Sequence, residues 1–292
     1  MKKYSIQLLL AMLIVASACK KEAKLTALPG VNDPFIRTDN PNSIVDHTIY
    51  QIYENTQVPI LYTDTVQKKP LTIIDINYHL TGTNTLMAVR YLKNQADLLT
   101  GINFVKNNII PALGGPLKPY SVLIVDSLIQ DTAGFTAATG YNYTTLNAYQ
   151  DLNTLIIANI TKIKSMDTAA FTAYKTDIYT TILSVSLNNN PNTLASFYAV
   201  STAYYNNFIN TQGGYSTPLP PPEQFGIVSV GGEDLYGGYY IQGEDYDLST
   251  FLNKYLTLSQ QDFAQQYAAY PLMLEKYQIL QQILTTLGFK KI

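Results

Sequence analysis

The side chains able to do chemistry are few, and their spacing removes several reactions at once. His47 and His79 are the only histidines, and 32 positions separate them. No helix turn can set both on one zinc at the i, i+4 spacing that zinc hydrolases use. The sole cysteine is Cys19, so a thiolate-rich site is out of reach, and a metal here would need an all-oxygen shell of the kind calcium accepts. No Gly-x-Ser-x-Gly nucleophile pattern occurs. His47, beside Asp46 in an amphipathic stretch, reads as a partly exposed structural histidine, and His79, after Tyr78 near a strand end, reads the same way.

Carboxylates and tyrosines are the remaining chemistry. Gly243-Glu244-Asp245-Tyr246-Asp247, with Glu233-Asp234 upstream, could bind calcium or a sugar. A glycoside hydrolase built on Glu233, Glu244 or nearby acids would need two carboxyl groups facing across a cleft. Acids at the start of a helix also cap its free N–H groups, and Asp247 lies where a helix should begin. Tyr236, Tyr239, Tyr240 and Tyr246 surround paired glycines. They could stack a sugar or peptide, or simply pack an irregular loop.

Composition narrows the partners. The 292 residues are 47% hydrophobic and only 14% charged, which excludes a disordered chain. There are 24 Tyr and no Trp, a balance that suits a wettable surface whose rings still bury. The formal net charge is −2. Clustered Lys and Arg would be needed to displace counterions from nucleic acid, so that class of partner is not expected.

The first residues read as an export signal. Lys2-Lys3, the apolar run Ile6 to Val15, and Ala16-Ser17-Ala18 before Cys19 have the order of a secretory leader. The run falls short of the roughly 20 apolar residues that a spanning helix needs. Cys19 stands where a lipoprotein peptidase would leave it as the first residue, ready for acylation; an ordinary signal with an incidental Cys is the bland alternative. The expectation is a signal peptide over 1–18, a tether over 19–40 with Pro29-Gly30 and Asp33-Pro34, and one domain over 41–292.

That domain must position whatever chemistry exists. Ser43 to Asn55 carries a helical apolar stripe, and Val58 to Tyr62 reads as an edge strand because Pro59 cannot donate to a ladder. The pattern predicts a long helix over Leu86 to Ile110, buried strands over Ser121 to Leu128 and Asn153 to Ile160, and helices over 167–185 and 192–210. A proline- and glycine-rich irregular stretch follows, and Asp247 to Leu287 reads as helical. The class is α+β.

The order of these elements resembles the bacterial substrate-import-associated zinc metallohydrolase lipoproteins, putative zinc-binding metallopeptidases. The segments that carry the resemblance are IYQIYENTQVPILY (49–62), PPPEQFGIVS (220–229) and LSQQDFAQQYAAYPLMLEKYQILQQILTTLGF (258–289). It implies a zincin-like fold with a small mixed sheet and a helical C-terminal part. Members carry His-Glu-x-x-His on a helix and a Glu-Asp-Phe-Ala-Glu segment near the end. Carried onto AVSTAYYNNFIN (199–210), the first His falls on Thr202, the Glu on Ala203 and the second His on Asn206. The acidic segment falls on Gln261 to Gln265, where Asp262 persists and glutamines, Gln265 among them, replace both glutamates.

Thr202, Ala203 and Asn206 can neither hold zinc nor take a proton from its water, and Asp262 alone, one carboxylate, does not hold a catalytic zinc. The resemblance therefore implies a degenerate, non-catalytic member with no zinc, lipid-anchored at the outer membrane. Such a protein would bind peptide or glycan and assist a nutrient importer, with Tyr239, Tyr240, Glu244 and Tyr246 as candidate ligand contacts. A structural or adhesive envelope lipoprotein is the alternative, with a carboxylate-dependent hydrolase behind it.

Overall fold

The computed structural model describes residues 33–77, 86–131, 143–210, 219–232 and 238–291. Cys19, His79, Glu233, Asp234 and Tyr236 lie outside them, as does the leader. Residues 34–292 form one compact unit.

At its centre is a four-stranded sheet. Strands β1 (Ile60–Leu61), β5 (Ser121–Ile124) and β9 (Thr154–Ile157) run parallel, and β8 (Ala148–Gln150) closes one edge antiparallel, in the order β1-β5-β9-β8. Strand β1 is the other edge, as Pro59 requires; the Pro59 carbonyl accepts from Val122 N–H at 2.9 Å. Alternate residues point to opposite faces, and both faces are covered. Ile60, Val122, Ile124, Leu155 and Ile157 enter the larger core, and Leu61, Leu123, Val125, Ile156 and Ala158 the smaller one.

Helices supply the larger core. Ser43 caps α1 (Ile44–Thr56) by accepting from Asp46 N–H, and Val45, Ile49 and Ile52 form its buried stripe. Asn94 caps α2 (Gln95–Phe104) in the same way through Asp97 N–H. A Cβ on Gly101 would stand 3.0 Å from both Ile124 and Ile160, so glycine lets α2 lie close to the sheet. Asp167 caps α3 (Thr168–Asn188). The C-terminal part is helical throughout, as α5 (Glu244–Thr257), α6 (Gln260–Gln266) and α7 (Pro271–Thr286).

The smaller core is roofed by β2 (Thr65–Lys68), which pairs with β3 (Leu71–Ile73), and by a sheet of β4 (Leu86–Arg90), β6 (Ser127–Asp131) and β7 (Tyr143–Leu146). Two expectations are corrected here. Leu86 to Ile110 is not one helix: its first five residues form β4, and α2 starts only where Asn94 offers a cap. Ser121 to Leu128 is not one strand. The chain bends at Val125-Asp126 and leaves the parallel sheet for the antiparallel one.

Asp126 fastens that bend. Thr161 donates to its carboxylate at 2.7 Å and Arg90 pairs with it, and these contacts, Thr161 first, hold its carboxyl below the ordinary value of 3.8. A depressed carboxyl contributes stability that is present above the unfolded value and is lost as pH falls through the folded one. Asp126→Asn should therefore lose less stability than the parent on acidification below about pH 4, read by urea unfolding at several pH values. Parallel pH profiles for the two proteins would refute this assignment.

Candidate functional site

The stretch expected as a helix over 192–210 takes another form. A 3-10 turn (Pro191–Leu194) leads into a short α4 (Ala195–Ala199), hydrogen-bonded turns carry the chain to Asn206, and β10 (Phe208–Ile209) follows, paired with β11 (Tyr239–Tyr240). Three side chains in it bond to carbonyls. Thr202 Oγ1 donates to Tyr198, Asn207 to Ala203, and Ser201 Oγ to Phe225 at 2.8 Å. Asn206 then takes φ 59°, a left-handed conformation that asparagine tolerates and that turns the chain into β10.

These turns place Ser201 and Tyr205 over the inner faces of α5 and α7. On α5 the buried stripe is Asp247, Leu248, Phe251, Leu252 and Tyr255; on α7 it is Met273, Lys276, Tyr277, Leu280, Ile283 and Leu284. Each stripe thus carries one charged residue inward. Lys276 is 0% exposed and Asp247 1%, and Lys276 Nζ pairs with Asp247 Oδ2. Nζ also donates to the Gly226 carbonyl at 3.0 Å and reaches Ser201 Oγ at 3.3 Å. The rings of Phe197 and Phe251 lie 4.2 and 5.2 Å from Nζ and add cation–π attraction.

Gly226 is part of this construction. It ends a 3-10 turn (Pro222–Phe225) at φ 74°, and a Cβ there would meet Ser201 Oγ at 2.9 Å and the Lys276 chain at 3.1 Å. Tyr205 completes the cluster by donating its hydroxyl to Asp247 Oδ2 at 2.5 Å. Burial drives the electrostatics: it pushes the Asp247 carboxyl up and the Lys276 amine down, each partly opposed by the other. Tyr205 is raised by burial first and by the Asp247 charge second, so its hydroxyl stays a donor.

Above the cluster opens a cleft of about 730 Å³, lined by Tyr205, Asn206, Gln242, Gly243, Glu244, Asp245 and Tyr246. Glu244 and Asp245 are exposed at the N-terminal turn of α5, whose cap residue Gly243 contributes no side-chain bond. Asn206 N–H is tied to the Ile241 carbonyl, and its Oδ1 accepts from Tyr240 at 3.3 Å. Tyr246 donates to the Val230 carbonyl. The surface offers two carboxylates, two amides and two rings, and beneath it the Tyr205 hydroxyl reaches the buried pair.

Of the candidate ligand contacts, Glu244 and Tyr246 line this cleft, and Tyr240, 40% exposed, joins it through Asn206. Tyr239 does not: it faces inward beside Ile227 and Ile241, and its hydroxyl bonds the Pro220 carbonyl. Asp247 was expected as a cap and is instead the buried partner of Lys276. Of the positions carried over from the metal site, only Asn206 borders the cleft. Thr202 and Ala203 are exposed, and Asp262 and Gln265 are exposed on α6, where Asp262 receives the Ser259 hydroxyl in a local cap.

Thr202, Ala203 and Asn206 do not fit a zinc, which needs imidazole, thiolate or carboxylate donors. Among the described residues no three His, Cys, Asp or Glu side chains gather as a metal would need. His47 is engaged by Asp39 at 2.7 Å and Gln51 at 2.8 Å. Among the described residues no helix is long and apolar enough to cross a membrane. No known protein family, curated protein or solved structure matches this chain.

Proposed function

We propose that this chain is a lipid-anchored, non-catalytic binding protein of the bacterial cell envelope, tethered through Cys19, with a zincin-like domain that has lost its metal ligands. Its role is accessory to nutrient uptake: the cleft at the start of α5 receives a peptide bearing a basic group. The observation that carries this reading is the pairing of Glu244 and Asp245 in one cleft with Tyr205, Tyr246, Asn206 and Gln242. Paired carboxylates favour a cation, the rings offer it a face, and the amides bond a peptide backbone.

Two features support the zincin-like part. A small mixed sheet with an antiparallel edge precedes a helical C-terminal part. The first turn of α5, Glu244-Asp245-Tyr246-Asp247, opens beside the cleft that Asn206, one of the positions carried over from the metal site, borders.

Titration calorimetry of the full chain with a lysine-containing oligopeptide, and separately with a neutral oligosaccharide, tests the proposal. The peptide should bind, more weakly as salt rises, and Glu244→Gln with Asp245→Asn should weaken it roughly tenfold, about 1.4 kcal/mol. Purified protein should carry no stoichiometric zinc and cleave no peptide. One equivalent of zinc together with peptide cleavage would overturn the reading, as would peptide affinity that ignores both substitutions.

A further inference from the structure

An amine and a carboxylate lie in contact inside an aromatic core, and the distribution of their partners is not that of a simple ion pair. Asp247 Oδ1 is buried and has no hydrogen-bond partner. A carboxylate held as an anion in the interior ordinarily collects donors on both oxygens. Here every donor goes to the other oxygen: Oδ2 takes both the Lys276 amine and the Tyr205 hydroxyl. One oxygen is saturated and its twin is idle.

We propose that Lys276 and Asp247 become joined by an amide bond between Nζ and Cγ, an intramolecular isopeptide link that staples α7 to α5. The lone pair of the uncharged amine attacks Cγ of the protonated carboxyl group. The Tyr205 hydroxyl, donating to Oδ2, stabilises the negative charge that develops there in the tetrahedral intermediate. The Cγ–Oδ1 bond then breaks. Oδ1 leaves as water, carrying its own carboxyl proton and one proton from the nitrogen. One N–C bond forms, one C–O bond breaks, one water is released, and no oxidant or cofactor is consumed.

The surroundings suit each step. The fold holds amine and acid together, which replaces a bimolecular encounter. Burial drives both groups toward the neutral forms the attack requires, the Asp247 carboxyl up and the Lys276 amine down. Phe197 and Phe251 flank the nitrogen and keep water from reversing the reaction. In the product the remaining N–H has the Gly226 carbonyl as acceptor and the amide oxygen keeps Tyr205 as donor. The orphaned oxygen and both buried charges disappear together.

Mass spectrometry of the denatured full chain after trypsin decides the matter. The link blocks cleavage after Lys276, so fragments 176–254 and 255–290 should appear as one species, lighter than the two together by one water. In Lys276→Met no joined species should form. In Asp247→Asn the link should form with loss of ammonia instead of water. Wild-type protein that is cut after Lys276, and whose fragments carry their unaltered sequence masses, refutes the link whatever the variants do.

Discussion

Lys276→Met is expected to lower the unfolding free energy by about 3–5 kcal/mol, and Asp247→Ala by a similar amount, because each strands its partner in the interior. Lys276 is fully buried, its stem packed in the stripe of α7 and its head bonded to Gly226 and Ser201 as well as to Asp247. The double variant Lys276→Met/Asp247→Ala should cost clearly less than the sum of the singles, since the second change removes a group already left without its partner. Urea unfolding measures all three. Strict additivity would mean that the two side chains are independent, contrary to the geometry.

The singles should also tilt in opposite directions with pH. In Lys276→Met, Asp247 keeps the burial that raises its carboxyl and loses the cation that opposed it. A raised folded value means that the folded state holds the proton longer, so stability declines as pH rises from the ordinary carboxylate range to the folded value. In Asp247→Ala, Lys276 keeps the burial that lowers its amine. There the unfolded chain holds more protons between the folded value and 10.5, so stability rises with pH across that window.

The elements were largely legible because their signals are local. Ser43 and Asp167 announce helix starts that the structure keeps, and Pro59 marks an edge strand. Leu86 to Ile110 misled because an apolar strand joined to an amphipathic helix imitates one longer periodic run; Asn94, a cap in mid-run, was the sign of the break. The stretch 192–210 has helical apolar spacing, yet its helix ends at Ala199 and the chain turns at Asn206, whose φ of 59° no periodicity announces.

The site was half legible. Acids at the head of a helix are visible in sequence, and Glu244 and Tyr246 do border the cleft. The buried pair is hidden because a charge on an apolar stripe reads as a surface residue until both helices are phased. Phasing would have found it: Asp247 precedes Leu248 and stands four before Phe251, and Lys276 stands three after Met273 and before Tyr277. Opposite charges on two stripes of one core have only each other for compensation. Ser201, Tyr205 and Gly226 could not be added that way, because no periodicity carries a turn's carbonyl to a distant amine.

Phe251→Ala should cost about 3–5 kcal/mol, the range for deleting a large aromatic from a packed core. Phe251 is fully buried on α5, edge-on to Phe197 at 5.3 Å and tilted against Phe263 at 5.6 Å. Its ring is also one of the two facing Lys276 Nζ. Aromatic pairs add roughly 0.5–1.5 kcal/mol beyond area burial, so Phe251→Leu, which keeps most of the volume, should still lose about 1–2 kcal/mol. Exposed Tyr240→Ala, by contrast, should stay within about 0.5 kcal/mol. Denaturant midpoints at constant slope test the series. A loss below about 1 kcal/mol for Phe251→Ala would mean that the neighbours collapse into the space, which Phe197, Phe263 and Lys276 cannot do without breaking contacts of their own.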